Sequence, residues 1–108
     1  MVKTVRFSIW CVNLNPVQGS EQAGYRPVLI ISPDVMNDRL RTVIVAPMTT
    51  AIRGWPTRVQ VAHGDKIGEV ALDQIRTVDK TRLSKSMGTL DKQYHRQVLD
   101  TLADIFAE

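Results

Sequence analysis

The chain has 108 residues, 44% of them hydrophobic and 23% charged, with a formal net charge of +3. That length supports one domain, residues 1–108, with a real core, and it excludes a deep catalytic cleft within one subunit; a sizeable site is expected on a surface or between subunits. The composition excludes a disordered chain, and no apolar run is long enough to span a bilayer. The opening MVKTVRFSIW lacks a continuous apolar stretch followed by a small-residue cleavage site, so a cytoplasmic location is expected. The single cysteine, Cys11, excludes a disulfide framework and reads as a small buried hydrophobe. Residues 1–60 carry seven Lys/Arg against three Asp/Glu, whereas residues 61–108 carry seven against eight. Any footprint for a polyanion therefore belongs to the N-terminal half.

In chain order, Phe7 to Leu14 (FSIWCVNL) is aromatic and apolar and stops at Asn15-Pro16, which predicts a strand ending in a turn. After a glycine-punctuated loop, Pro27 to Ile31 is a short continuous apolar run that suits a fully buried strand, broken by Ser32-Pro33-Asp34. DVMND predicts one helical turn, and Thr42 to Met48 predicts the next strand, with Pro47 at its end. Arg53 to Pro56 reads as a loop, TRVQVA alternates as a half-buried strand, and GEVAL returns antiparallel after the turn at residues 63–66. From Asp91 as N-cap, Tyr94, Val98, Leu99, Leu102, Ile105 and Phe106 recur at helical spacing. Short strands closed by one C-terminal α-helix predict a mainly β fold, a small and strongly bent barrel.

Metal-ligand spacing, a phosphate-cradling glycine loop and a serine–histidine pairing are all missing from this pattern, and His63 and His95 read as surface residues. Two polar constellations remain. In GSEQAGYRPVLII, Pro27 pushes Arg26 into extended backbone at the mouth of a strand. Gly19 and Gly24 let the loop approach a ligand, while Glu21 and Gln22 supply a carboxylate and an amide. The second constellation follows the TVIVAPM strand: Thr49, Thr50, Arg53, Trp55 and Arg58. An aromatic residue between two arginines offers a base-stacking platform with flanking phosphate contacts. From the residues alone, a salt-bridged connecting loop and a tryptophan packed over the barrel's end stand as alternatives.

Taken in order, IWCVNLNP, GSEQAGYRPVLIISPD, TVIVAPMTT and LDQIRTVDKTRL resemble the MazF/PemK family of toxin endoribonucleases from type II toxin–antitoxin systems over nearly the whole chain. The resemblance implies an SH3-like, strongly twisted β-barrel with a C-terminal helix. It also implies a homodimer that cleaves single-stranded RNA at short sequences without a metal or other cofactor, silenced by an acidic antitoxin in the RNA groove. The family's catalytic arginine falls on Arg26 and its catalytic hydroxyl on Thr49; Glu21, Trp55, Asp73, Gln74 and Arg82 fall where the family contacts RNA. Arg53 and Arg58 are expected to meet phosphates beside Trp55. One branch of the family has a histidine where this chain has Ser20 and an arginine where it has Ala71, so a histidine-based mechanism does not transfer. The first strand also departs from the family pattern at Phe7-Ser8 and Cys11.

Metal-free RNA cleavage uses the 2′-hydroxyl as nucleophile and leaves a 2′,3′-cyclic phosphate and a 5′-hydroxyl. Arg26 stays protonated and serves to stabilise charge, Thr49 donates to the phosphate, and Glu21 is the acceptor within the loop. Two other functions compete with this one. A gyrase poison of the CcdB type shares the barrel but carries a tryptophan close to its last residue, where this chain ends ADIFAE. A non-catalytic SH3-like binding module would leave Arg26 an incidental surface charge.

Overall fold

A computed structural model describes residues 3–13 and 25–108. Its strands are β1 (Ser8–Asn13), β2 (Tyr25–Ile30), β3 (Thr42–Thr49), β4 (Arg58–His63), β5 (Lys66–Ala71), β6 (Arg76–Asp79) and β7 (Leu83–Thr89). Two α-helices, α1 (Asp34–Arg39) and α2 (His95–Phe106), complete the regular structure apart from three short 3-10 turns. The sheet runs β4-β5-β3-β2-β1-β7, antiparallel at every pairing, with β6 added on β3. β3 is the hub. One edge pairs β2; the other is shared, with β6 along Thr42 to Val45 and β5 at Met48 and Thr49. The division of one edge between two partners curls the sheet and brings β4–β5 round toward β1.

The continuous apolar runs of β1 to β3 arise because the sheet is buried on both faces. One face carries Ile9, Leu29, Ala46, Val59, Val61 and Val70, against which Val98, Leu99, Leu102 and Ile105 of α2 pack. The other carries Trp10, Val12, Val28, Ile30, Val43 and Val45. Successive side chains of a strand alternate between faces, so a strand covered on both sides needs apolar residues at every position. α1 is held by its buried Asn37: the Ser32 hydroxyl donates to Asn37 Oδ1 at 2.5 Å, and Asn37 Nδ2 donates to the Ser32 carbonyl at 2.9 Å.

Three expectations are corrected. Asp91 caps the 3-10 turn at Lys92–Tyr94, accepting from Gln93 N at 3.0 Å, and α2 begins only at His95. His95 is half-buried, stacked on the Phe7 ring at 3.8 Å between centroids, with Nε2 2.8 Å from the Leu90 carbonyl. His63 is likewise half-buried, and Nε2, 2.7 Å from the Met87 carbonyl, must carry its proton because a carbonyl only accepts. Neither is a free surface side chain. Among the described residues no helix is long and apolar enough to cross a membrane.

Candidate active site

The pairing registers gather the candidate residues on one face. β2 and β3 pair from Ile30–Val45 to Val28–Pro47; Arg26 and Thr49 each lie two residues past that last pair, and both line one cleft. Thr49 is opposite Glu69 on β5, and Glu69 is opposite Gln60 on β4. Residues directly opposite in an antiparallel ladder share a face. Thr49, Glu69 and Gln60 therefore cross three strands on one face, and Arg26, two residues from Val28, points to that same face of the sheet. Arg26, Thr49 and Glu69, with Thr50 and Gly68, also line an open cleft of about 270 Å³. His63 lines the same cleft from the end of β4, a placement its turn position in the sequence concealed.

Beyond Thr49 the chain leaves β3, and the Thr49 hydroxyl accepts from Ala51 N at 3.1 Å. The loop that follows is fastened by Glu69, whose residue is 1% exposed. Glu69 Oε2 accepts from the backbone N–H of Arg53 at 3.0 Å and of Gly54 at 2.8 Å. Gly54 supports this turn at φ +71°, backbone that a residue with a Cβ adopts only with strain. Arg58 lies beneath the loop: its Nε donates to Asp73 Oδ1 at 2.6 Å, Nη2 to Asp73 Oδ2 at 3.3 Å and Nη1 to Glu69 Oε1 at 3.4 Å. Thr57 Oγ1 donates to Asp73 Oδ1 at 3.1 Å. The Trp55 ring sits over Arg58, 4.7 Å from guanidinium carbon to centroid, with Arg53 at 5.8 Å, and remains 49% exposed.

This geometry corrects one expected role. Arg58 was expected to meet phosphate, yet its side chain is 5% exposed and its donors face Asp73 and Glu69. It supports the ring from below, while Arg53 is the exposed cation of the loop. Trp55 is packed on one side and open on the other. Asp73 faces Arg58 and Thr57 rather than standing alone, and Gln74 follows it, half-buried, in the turn Leu72–Gln74. Arg82 Nη1 donates to the carbonyl of Asn13 at 3.5 Å, and Asn13 is the residue that pairs with Tyr25 beside Arg26. Glu21 and Gln22 lie outside the described residues.

The electrostatics follow from these contacts. Burial alone raises the Glu69 carboxyl, but the Gly54 and Arg53 amides and Arg58 outweigh it and hold it below the ordinary carboxylate range. Asp73 is likewise raised by burial and lowered more by its hydrogen bonds from Arg58 and Thr57. The bond to Asp73 pushes Arg58 upward against burial. Sequence reading missed Glu69. Its signal was there: a lone carboxylate in KIGEVA, followed by the apolar Val70, Ala71 and Leu72, is a charge headed into the core in need of partners.

A family model described as a PemK-like, MazF-like toxin of type II toxin–antitoxin systems matches residues 5–106. The chain belongs to this family. It is 40% identical over 99 residues to the Endoribonuclease MazF of Staphylococcus saprophyticus, an alignment covering 86% of this chain and 82% of that protein. The crystal structure of MazF from Deinococcus radiodurans is similar at a TM-score of 0.85 and 25% identity, covering 97% of each chain. An endoribonuclease from a mycobacterial species, solved in complex with its cognate antitoxin, is similar at a TM-score of 0.81 and 25% identity, covering 94% of this chain and 92% of that one. The curled antiparallel sheet with a C-terminal helix is thus the MazF fold, and membership in the PemK/MazF-like family separates the chain from the CcdB-type reading.

In this PemK/MazF-like chain the close approach of β5 to Thr49 depends on Gly68. A Cβ built there would lie 2.3 Å from the Thr49 carbonyl oxygen. Backbone must move, so Gly68→Ala is expected to cost about 1–3 kcal/mol, as overpacking does. A thermal melt checks this; an unchanged melting temperature would show that the strands separate freely.

Proposed function

We propose that the chain is an endoribonuclease that cleaves single-stranded RNA, mRNA in particular, without a metal, and acts as the toxin of a type II toxin–antitoxin pair in the cytoplasm, inhibiting translation and growth. The observation that carries the reading is the cleft that Arg26 of β2 and Thr49 of β3 line together, next to a loop with an exposed aromatic ring. The 2′-oxygen attacks the adjacent phosphorus as the bond to the 5′-oxygen breaks, giving a 2′,3′-cyclic phosphate and a 5′-hydroxyl. The 2′-hydroxyl loses its proton to an acceptor and the departing 5′-oxygen gains one. Arg26 offers forked donors to the phosphoryl oxygens, where charge builds up, and Thr49 adds a hydroxyl.

Glu69 is unsuited to be the acceptor: it is buried, both oxygens accept hydrogen bonds, and its carboxyl is held low. Glu21 remains the carboxylate assigned to that step, with a further role in contacting RNA. Trp55 and Arg53 bind the strand, and Gln74 and Arg82 extend the contact surface, with Asp73 reached at its exposed edge. A single domain of 108 residues has little concave surface, which favours a homodimer with RNA in a groove that both copies form. The mycobacterial relative bound to its antitoxin supports an antitoxin partner here, with acidic groups that meet the same cations.

Incubation with single-stranded RNA in EDTA should yield discrete cuts; intact RNA at micromolar protein would contradict the proposal. In binding isotherms, Trp55→Ala should cost about 1–3 kcal/mol of RNA affinity with little change in salt dependence, because stacking releases few counterions. Arg53→Ala should instead flatten the log–log salt slope by about 0.7. Equal slopes for Arg53→Ala and the unmodified chain would remove Arg53 from the phosphate contacts.

A further inference from the structure

We propose that Glu69 is a positioning residue for RNA binding: its buried carboxylate holds the Trp55 loop in its RNA-binding shape and ties that loop to the strand row containing Thr49. The inference rests on the endoribonuclease reading. Three observations carry it. One carboxylate oxygen collects the N–H groups of two consecutive loop residues, Arg53 and Gly54, which directly precede Trp55. The other oxygen meets Arg58, the guanidinium on which the Trp55 ring rests. Glu69 is itself paired with Thr49 across the ladder, so the fastening point belongs to the strand beside the candidate hydroxyl. Loop and platform are thereby fastened to one side chain, and Thr49 is paired with the backbone of the same residue. A buried carboxylate with three charge-assisted or backbone partners fixes direction as well as contact, and a loop fixed before binding has less conformational entropy to lose when RNA arrives.

Two substitutions separate the parts of this arrangement. In Glu69→Gln the amide oxygen can still accept from Arg53 and Gly54, while the amide nitrogen, a donor, confronts Arg58. In Glu69→Leu both sets of contacts disappear. Because the fastened loop carries binding groups and not the groups at the reacting phosphate, the effect should fall on KM. The expected result is a KM for single-stranded RNA raised about tenfold in Glu69→Leu and by less in Glu69→Gln, with kcat within about threefold of wild type in both. Amide proton shifts of Arg53 and Gly54, followed without RNA, should move upfield in Glu69→Leu and stay near wild type in Glu69→Gln. A merely structural role would lower melting temperature in both variants without this split between KM and kcat.

If Glu69→Leu fails to fold, Glu69→Gln decides alone: an unchanged KM in the folded variant would overturn the inference. So would a fall in kcat at unchanged KM, which would put Glu69 at the reacting centre. Failure of the underlying reading looks different, since the wild-type chain would then cleave no RNA at all and the inference would fall with it.

Discussion

Arg26→Ala and Thr49→Ala should each slow RNA cleavage by about 10²-fold or more while leaving thermal unfolding close to wild type. Such a loss corresponds to about 2.7 kcal/mol of transition-state stabilisation, the scale for removing one donor aimed at developing charge. Both residues are only partly buried and stand at strand ends, where a truncated side chain leaves no core cavity. The Thr49 hydroxyl gives up one bond from Ala51 N at an exposed position, which water can replace. Arg26→Lys should restore part of the loss at most, because an ammonium is a point charge where the guanidinium presents a fork. Wild-type rates in both folded alanine variants would refute the assignment.

Arg58→Ala should have the largest effect on stability, about 3 kcal/mol, since it removes one partner from a nearly buried ion-pair cluster. Glu69, 1% exposed, would keep its two backbone donors but lose the cation that balances its charge, and Asp73 would lose both arms of the Arg58 fork. Loss of the guanidinium also removes the support beneath Trp55. Acidification should reproduce part of this effect in the wild-type chain. The Glu69 and Asp73 carboxyls are lowered in the folded state, so their contribution is present above the ordinary carboxylate pKa and lost as pH falls through their folded values. Urea melts of the two proteins between neutral and acidic pH check both points: the stability gap between wild type and Arg58→Ala should narrow as pH falls, and a constant gap would contradict it.

Much of the fold was legible, and the physical reason differs from element to element. The apolar runs of β1, β2 and β3 and the alternation in TRVQVA are direct imprints of burial, and α2 shows its face through Val98, Leu99, Leu102 and Ile105. β6 and β7 carried no such imprint. β7 reads LSKSMGT, exposed at every position after Leu83, and is held to β1 by backbone pairing with two register shifts. Hydrophobic periodicity does not register a strand held that way. At the site, the catalytic roles of Arg26 and Thr49 are what a family resemblance implies; that the two line one cleft follows from how β2 and β3 pair, which no local pattern encodes. Arg58 reads as a free phosphate contact for the same reason: its partners, Glu69 and Asp73, lie 11 and 15 residues away in sequence. Burial of a charge is decided by such partners, not by the charge itself.

If Arg26 and Thr49 serve a metal-free transesterification of RNA, the product ends carry its signature. A defined single-stranded RNA, incubated in EDTA with the wild-type chain and with Arg26→Ala, would be analysed by mass spectrometry of its fragments. The expected products are a 2′,3′-cyclic phosphate on the upstream fragment and a 5′-hydroxyl on the downstream one, formed by wild type and at least about 10²-fold more slowly by Arg26→Ala. Fragments bearing 5′-phosphates, or equal rates from the two proteins, would contradict it.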